Sequence, residues 1–172
     1  MQHDYDRDEW SPDDPETDLK RTVSSGTQSL QGRAYAYLAR REYSRAELAR
    51  KLTPYASSQE ALAILLDKLE QQGVLSSVRF AQSVLRQQAT RFGSARILST
   101  LAQHQLDSDL VDRVQAELSS SEFARAQAVW TKKFGQPPTD ARSHAKQIRF
   151  LLMRGFSCEI ATQVIKQGKG AC

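Results

Sequence analysis

The sequence predicts an all-α protein: an elongated, curved array of three tandem three-helix repeats, preceded by a disordered acidic arm. Three observations carry that reading. From residue 31 onward apolar residues recur at helical spacing, as in Leu62, Leu65, Leu66 and Leu69 or Leu110, Val111, Val114 and Leu118, and no alternating strand pattern is visible. Helix-start signals recur at nearly constant intervals, Ser44-Arg45-Ala46 returning as Ser94-Ala95-Arg96 and as Asp140-Ala141-Arg142. The first 30 residues hold eight Asp/Glu against three Lys/Arg, with two prolines and almost no aliphatic side chain. Such a segment cannot bury enough surface to offset its ordering entropy.

The elements follow in order. The acidic arm covers residues 1–30 and carries Asp4, Asp6, Asp8, Glu9, Asp13, Asp14, Glu16 and Asp18. The first repeat, 31–75, is read as helices over 31–41, 44–53 and 57–72, with capping boxes at Ser44/Glu47 and Ser57/Glu60. The second, 76–118, is read as helices over 76–91, 94–104 and 107–118. The third, 119–168, is read as helices over 121–134, 139–153 and 157–167, opened by a capping box at Ser119/Glu122, and residues 169–172 form a tail. Gly73, Gly93, Gly135, Gly155 and Gly168 follow apolar-periodic segments, where a residue tolerating positive φ can close a last turn. A three-helix unit of about 45 residues has a marginal core alone, so neighbours are expected to stack and share apolar surface.

Composition excludes several classes. At 172 residues, 40% hydrophobic and 26% charged, the chain has the profile of a soluble globular protein. It is long enough to fold without a disulfide framework, and two cysteines, Cys158 and Cys172, are too few for a structural zinc site. No apolar run approaches the roughly 20 residues that cross a bilayer. The N-terminus opens acidic instead of basic then apolar, so no secretory signal is visible and a cytoplasmic location is expected.

Catalysis finds little support. The histidines are His3 in the arm, His104 at a helix end, and His144 within a helix without a carboxylate or thiol at ligand spacing. No nucleophile elbow, phosphate-binding glycine loop or paired-carboxylate motif is present, so neither an enzyme nor a bound metal or cofactor is expected. Cys158 reads as a small packing residue. Phe123, Trp130 and Phe134 share a helical face with Ala126 and read as core, while Phe92, Phe134 and Phe156 stand beside glycines where a ring can lock adjacent helices.

Charge is more informative. The formal net charge is +4, and since the arm contributes −5, the body carries +9. Such a surplus points to a polyanionic or acidic partner. In the second repeat Arg79, Arg86, Arg91 and Arg96 are spaced so that several can share a flank. In the third, Lys132, Lys133, Arg142, Lys146, Arg149 and Arg154 supply another basic set. An acidic arm folding back on this body would weaken its contacts with polyanions; a solvated extension would do nothing.

In their order and spacing these residues resemble the RecX family, small bacterial regulators of the RecA recombinase. The resemblance covers about residues 32–167. It rests on Ser44-Arg45-Ala46-Glu47-Leu48 with Lys51-Leu52, on Leu66-Asp67-Lys68-Leu69 through Gly73-Val74-Leu75 to Arg79-Phe80-Ala81, on Arg91-Phe92-Gly93 with Leu98 and Leu101, and on Arg154-Gly155-Phe156-Ser157. It implies tandem three-helix repeats, binding along the groove of the RecA nucleoprotein filament, and inhibition of ATP hydrolysis, strand exchange and co-protease activity. It also implies weak, non-specific affinity for single- and double-stranded DNA; a monomer with no membrane contact is expected. Where the family usually has an acidic pair after the Gly-apolar-Leu turn, this chain has Ser76 and Ser77, which can cap a helix but remove that charge. Two rival readings stand beside it, a stand-alone helical DNA-binding regulator and a generic helical-repeat scaffold. Ser44 to Leu75 can pass for a helix-turn-helix followed by a long helix, yet no β-wing or dimerisation helix is visible.

Overall fold

A computed structural model describes residues 29–168, and the predicted disordered arm up to residue 28 and the tail from 169 lie outside them. The described residues form eight α-helices: α1 (Leu30–Leu38), α2 (Arg45–Leu52), α3 (Gln59–Gln71), α4 (Ser77–Gln88), α5 (Ser94–Ala102), α6 (Ser108–Lys133), α7 (Ala141–Met153) and α8 (Cys158–Gly168). A 3₁₀ turn, Thr53–Tyr55, continues α2, and no strand occurs among these residues.

The helix starts show which sequence signals were followed. The Ser44 hydroxyl accepts from the Glu47 N–H at 3.1 Å. The Glu47 carboxylate, however, turns to Arg41, so only half of that capping box forms. At α3 the cap is Ser58, one residue after the predicted Ser57, and it accepts from Ala61 N–H at 3.1 Å. Ser76 caps α4 through the Arg79 N–H at 3.3 Å. A reciprocal box that was not anticipated opens α7: Ser143 N–H donates to Asp140 at 2.7 Å and Asp140 N–H to the Ser143 hydroxyl at 3.2 Å.

One prediction is corrected. The helices expected over 107–118 and 121–134 are a single helix, α6, of 26 residues, so the expected boundary at 118/119 falls inside continuous helix. Ser119, Ser120 and Ser121 donate to the Gln115 and Glu117 carbonyls a turn earlier, at 2.8, 2.9 and 3.1 Å, instead of capping a new helix. A seryl hydroxyl can bond back along a helix as readily as it caps one. Glu122 is thereby released, and its carboxylate accepts from the Ser94 N–H at 3.4 Å. It serves the start of α5, whose own N-cap, Gly93, has no side chain to offer.

Apolar side chains sort into three successive clusters. The first holds Ala34, Leu48, Leu52, Leu62, Leu66 and Leu69 among others. The second is built on Phe80, Val84, Ile97, Leu101, Leu110 and Leu118. The third is built on Ala126, Trp130, Leu151, Phe156, Val164 and Ile165. The first half of α6 therefore serves the second cluster and its second half the third. Inside the third, Trp130 Nε1 donates to Gln147 at 2.7 Å and Gln147 passes a bond to the Gln136 carbonyl at 3.2 Å, so the buried polar pair is satisfied. Phe92 and Phe156 are buried at their turns and Phe134 meets Phe150 edge-on at 5.2 Å, as the packing reading of the aromatics expects.

The repeats join through two unlike junctions. Between the first and second, the Ser44 hydroxyl meets His104 Nδ1 at 2.9 Å and Arg79 pairs with Glu42 at 2.8 Å, while within the second repeat the Phe80 ring packs against His104 at 4.6 Å. Between the second and third, backbone meets backbone: Gly93 N–H donates to the Arg154 carbonyl at 2.8 Å and Ala95 N–H to the Gly155 carbonyl at 3.2 Å. A Cβ on Gly93 would lie 2.2 Å from the Gly155 backbone, and one on Gly155, at φ +84°, would lie 2.7 Å from Arg96. Arg125 of α6 closes this junction, donating to the Phe92 carbonyl at 2.7 Å and to the Ser94 hydroxyl and Leu118 carbonyl at 2.9 Å. Positive φ is found at Gly73, Gly135 and Gly155 as expected, but Gly93 caps α5 at φ −77° and Gly168 is the last residue of α8.

Gly93→Ala and Gly155→Ala should each destabilise the fold by about 3 kcal/mol or more, because facing backbone must retreat. Gly73→Ala, where φ is +68° but nothing lies within 4 Å, should cost only about 1 kcal/mol. Urea unfolding midpoints compare the three, and a wild-type midpoint for Gly93→Ala would disprove the turn-to-turn contact.

The first junction should respond to pH. Burial pulls the His104 imidazole below the ordinary histidine value, with Arg50 and Arg41 acting in the same direction and Glu47 opposing them. In the unfolded chain the ring returns to about 6.5. Below that value the unfolded state binds more protons until the folded-state pKa is passed, so stability falls as the solution is acidified through this window. The urea midpoint should decline between pH 7 and 5, and His104→Gln should flatten the decline.

Candidate polyanion-binding surface

Folding separates the predicted basic residues into two groups. Arg79, Arg91, Arg96 and Arg154 are drawn into the junctions. Arg79 donates to the Gly73 and Val74 carbonyls at 2.8 and 2.7 Å as well as to Glu42, so its guanidinium closes the C-terminal end of α3. Arg154 donates to the Arg91 carbonyl at 3.3 Å and covers the Phe150 ring at 4.6 Å. Arg91 and Arg96 lie over the Phe92 ring at 5.5 and 4.2 Å. The flank expected to gather the basic residues of the second repeat is thus split between the two junctions.

Arg79, Arg91 and Arg96 stay exposed while making these contacts, and the remaining residues face solvent without them. Arg86 is exposed on α4, and Lys132 and Lys133 are exposed at the last turn of α6. Arg142, Lys146 and Arg149 are exposed on α7 at spacings of four and three residues, which puts them on one helical face. The α7 cations make none of the ion pairs found among the described residues. Those pairs join Arg41, Arg45 and Arg79 to Glu42, Glu47, Asp67 and Glu70 of the first repeat. Four of the five acids of the first repeat are consequently matched, while the α7 face keeps its charge.

Arg142, Lys146 and Arg149 line a shallow depression with Asp140, Ser143 and Ala145. Asp140 is its one acid, held below the usual carboxylate range chiefly by the Ser143 N–H, and it is occupied in capping α7. The same face continues to Met153, 70% exposed, beside the exposed Leu152. Charge binds and steers at long range, while such an apolar end adds desolvation at contact. A second depression lies along α5, where Arg96, Ser99, Thr100 and Gln103 stand over Phe92, Gln88 and His104.

The sequence reading missed three parts of this surface. Leu152 and Met153 look like core residues in a linear pattern. The α5 depression joins residues of low individual interest. Arg125 alone carried a signal, since it shares a helical face with Leu118 and Val129 and a charge in an apolar stripe is unusual. Cys158, read as packing, is exposed instead, because Ser157 occupies the capping position and places it on the outer first turn of α8. Among the described residues no three His, Cys, Asp or Glu side chains converge as a metal site, and no helix is long and apolar enough to cross a membrane.

Known proteins match this arrangement. A family model described as RecX, third three-helix domain, matches residues 120–165. The Regulatory protein RecX of Ralstonia nicotianae is 49% identical over 138 residues, covering 80% of this chain and 87% of that protein. That of Herminiimonas arsenicoxydans is 50% identical over 129 residues, covering 75% of this chain and 85% of that protein. The crystal structure of RecX from Lactobacillus salivarius shares the fold, with a TM-score of 0.69 at 16% identity over 81% of this chain and 94% of that one. Identity near one half, sustained across most of both sequences, leaves one assignment: the chain belongs to the RecX family of regulatory proteins.

Proposed function

We propose that the protein is a negative regulator of the RecA recombinase that lies in the groove of the RecA–DNA filament and inhibits ATP hydrolysis, strand exchange and co-protease activity. The observation that carries this reading is the outer face of α7, where Arg142, Lys146 and Arg149 remain without an internal ion pair and end in exposed Leu152 and Met153. An array of repeats, divided near residues 75 and 118, suits a partner that repeats along its own length. It would bridge successive subunits as a monomer, its cations facing acidic filament surface or phosphates, with weak non-specific affinity for bare DNA. Bridging inhibits by preference for one filament state, since a ligand shifts an equilibrium only by its differential affinity for the states. The names of the relatives support a regulatory role.

The test is DNA-dependent ATP hydrolysis by RecA as the protein is titrated in, with DNA in excess so that competition for bare strand is limited. Activity should fall at substoichiometric ratios. Lys146→Glu with Arg149→Glu should raise the half-inhibitory concentration about tenfold or more, whereas Arg113→Glu on the exposed side of α6 should change it less than about twofold. Unchanged hydrolysis at saturating protein overturns the proposal.

A further inference from the structure

The second repeat presents a helix face in the same register as α7, with one cation where α7 has three. Leu101, Gln105 and Asp107 of the second repeat correspond to Leu151, Gly155 and Ser157 of the third: a fully buried leucine, a residue at positive φ (53° and 84°), and the cap of the next helix. In that register Arg96 stands where Lys146 does, and Ser99 where Arg149 does. The depression along α5 is therefore the counterpart of the α7 face, one repeat earlier in the chain.

We propose that the α5 depression is a binding site for nucleic-acid backbone phosphate, forming with α7 two stations along one strand. The lining supplies the chemistry. Arg96, Gln88, Gln103 and His104 offer nitrogen groups, Ser99 and Thr100 offer hydroxyls, and no carboxylate lines the site. An anion there meets donors without an opposing charge. Thr100 already donates to the Arg96 carbonyl at 3.1 Å, leaving Arg96 as the single formal charge and Ser99 and Gln103 as the unspent polar groups at the rim. The Phe92 ring is buried beneath Arg96 and His104 stacks on Phe80, so no open aromatic surface is left for a base. The site contacts backbone and reads no sequence.

One charge makes a weak station, so useful affinity comes from joining it to the α7 cations on the same strand. The turn-to-turn hydrogen bonds from Gly93 and Ala95 to Arg154 and Gly155 set α5 against the end of α7. A repeating polyanion satisfies two such stations; a folded acidic protein has no reason to. This inference deepens the proposed function and rests on it only for the use of the α7 face.

The experiment measures fluorescence anisotropy of a labelled oligothymidylate of about 20 nucleotides with the full-length protein at low salt and no RecA. Ser99→Glu with Gln103→Glu should weaken binding about tenfold, while Gln71→Glu on α3 changes it less than about twofold. Ser99→Arg, copying Arg149, should tighten binding about threefold, a gain that misfolding cannot imitate. Oligoadenylate should bind like oligothymidylate, and free inorganic phosphate only weakly. Equal weakening by Gln71→Glu, no response to Ser99→Arg, or equal competition by polyglutamate of matched charge would each overturn the site. Inhibition of RecA by the Ser99/Gln103 variant is measured in parallel. If inhibition persists while the oligonucleotide results fail, the α5 site falls and the regulatory reading stands.

Discussion

The structure depends on the approach of two backbones. Where the turn after α4 meets the turn after α7, Gly93 and Gly155 lie so close that neither can carry a side chain, and the contact is held by hydrogen bonds of 2.8 and 3.2 Å. Two surfaces with no side chains between them have few alternative packings. Helix α6 runs unbroken past this point and sends Arg125 into it. The third repeat is thereby oriented on the second by main chain, a half-buried guanidinium and a shared helix together. The outward direction of Arg142, Lys146 and Arg149 follows from that orientation.

The other junction is of a different kind. Arg79 with Glu42, and His104 with Ser44, tie the first repeat to the second through side chains. Side-chain ties are individually modest and sensitive to protonation. The array is thus unequal along its length, with the firmer join adjoining the basic face. The proposed two-station binding would require that join to be geometrically exact, because multivalent binding is lost when the spacing drifts.

Charge follows the same division. In the first repeat Glu42, Glu47, Asp67 and Glu70 are matched by Arg41, Arg45 and, from the second repeat, Arg79. On α7 the cations have no such partners. The third repeat holds the larger share of the body's surplus, and α7 carries three of its cations on one exposed face. This concentration raises the local potential and favours a polyanion over a neutral surface.

The sequence by itself determined the helical class, most helix positions and part of each core, because helical periodicity and capping are local and need only a few consecutive residues. It also placed Gly155 and Gly93 at turns, though not against one another. Tertiary structure decided the rest. Ser119 and Glu122 form a sound local capping signal, yet Glu122 belongs to α5, since a carboxylate goes to whichever unsatisfied N–H the fold brings near. Arg79 and Arg149 are both exposed-looking arginines in the linear pattern. Only folding separates them, because the Gly73 and Val74 carbonyls converge on the first and nothing converges on the second. Residue identity sets what a side chain can bond; the partners available to it are set by segments distant in sequence, and these determine which charges are left to meet another molecule.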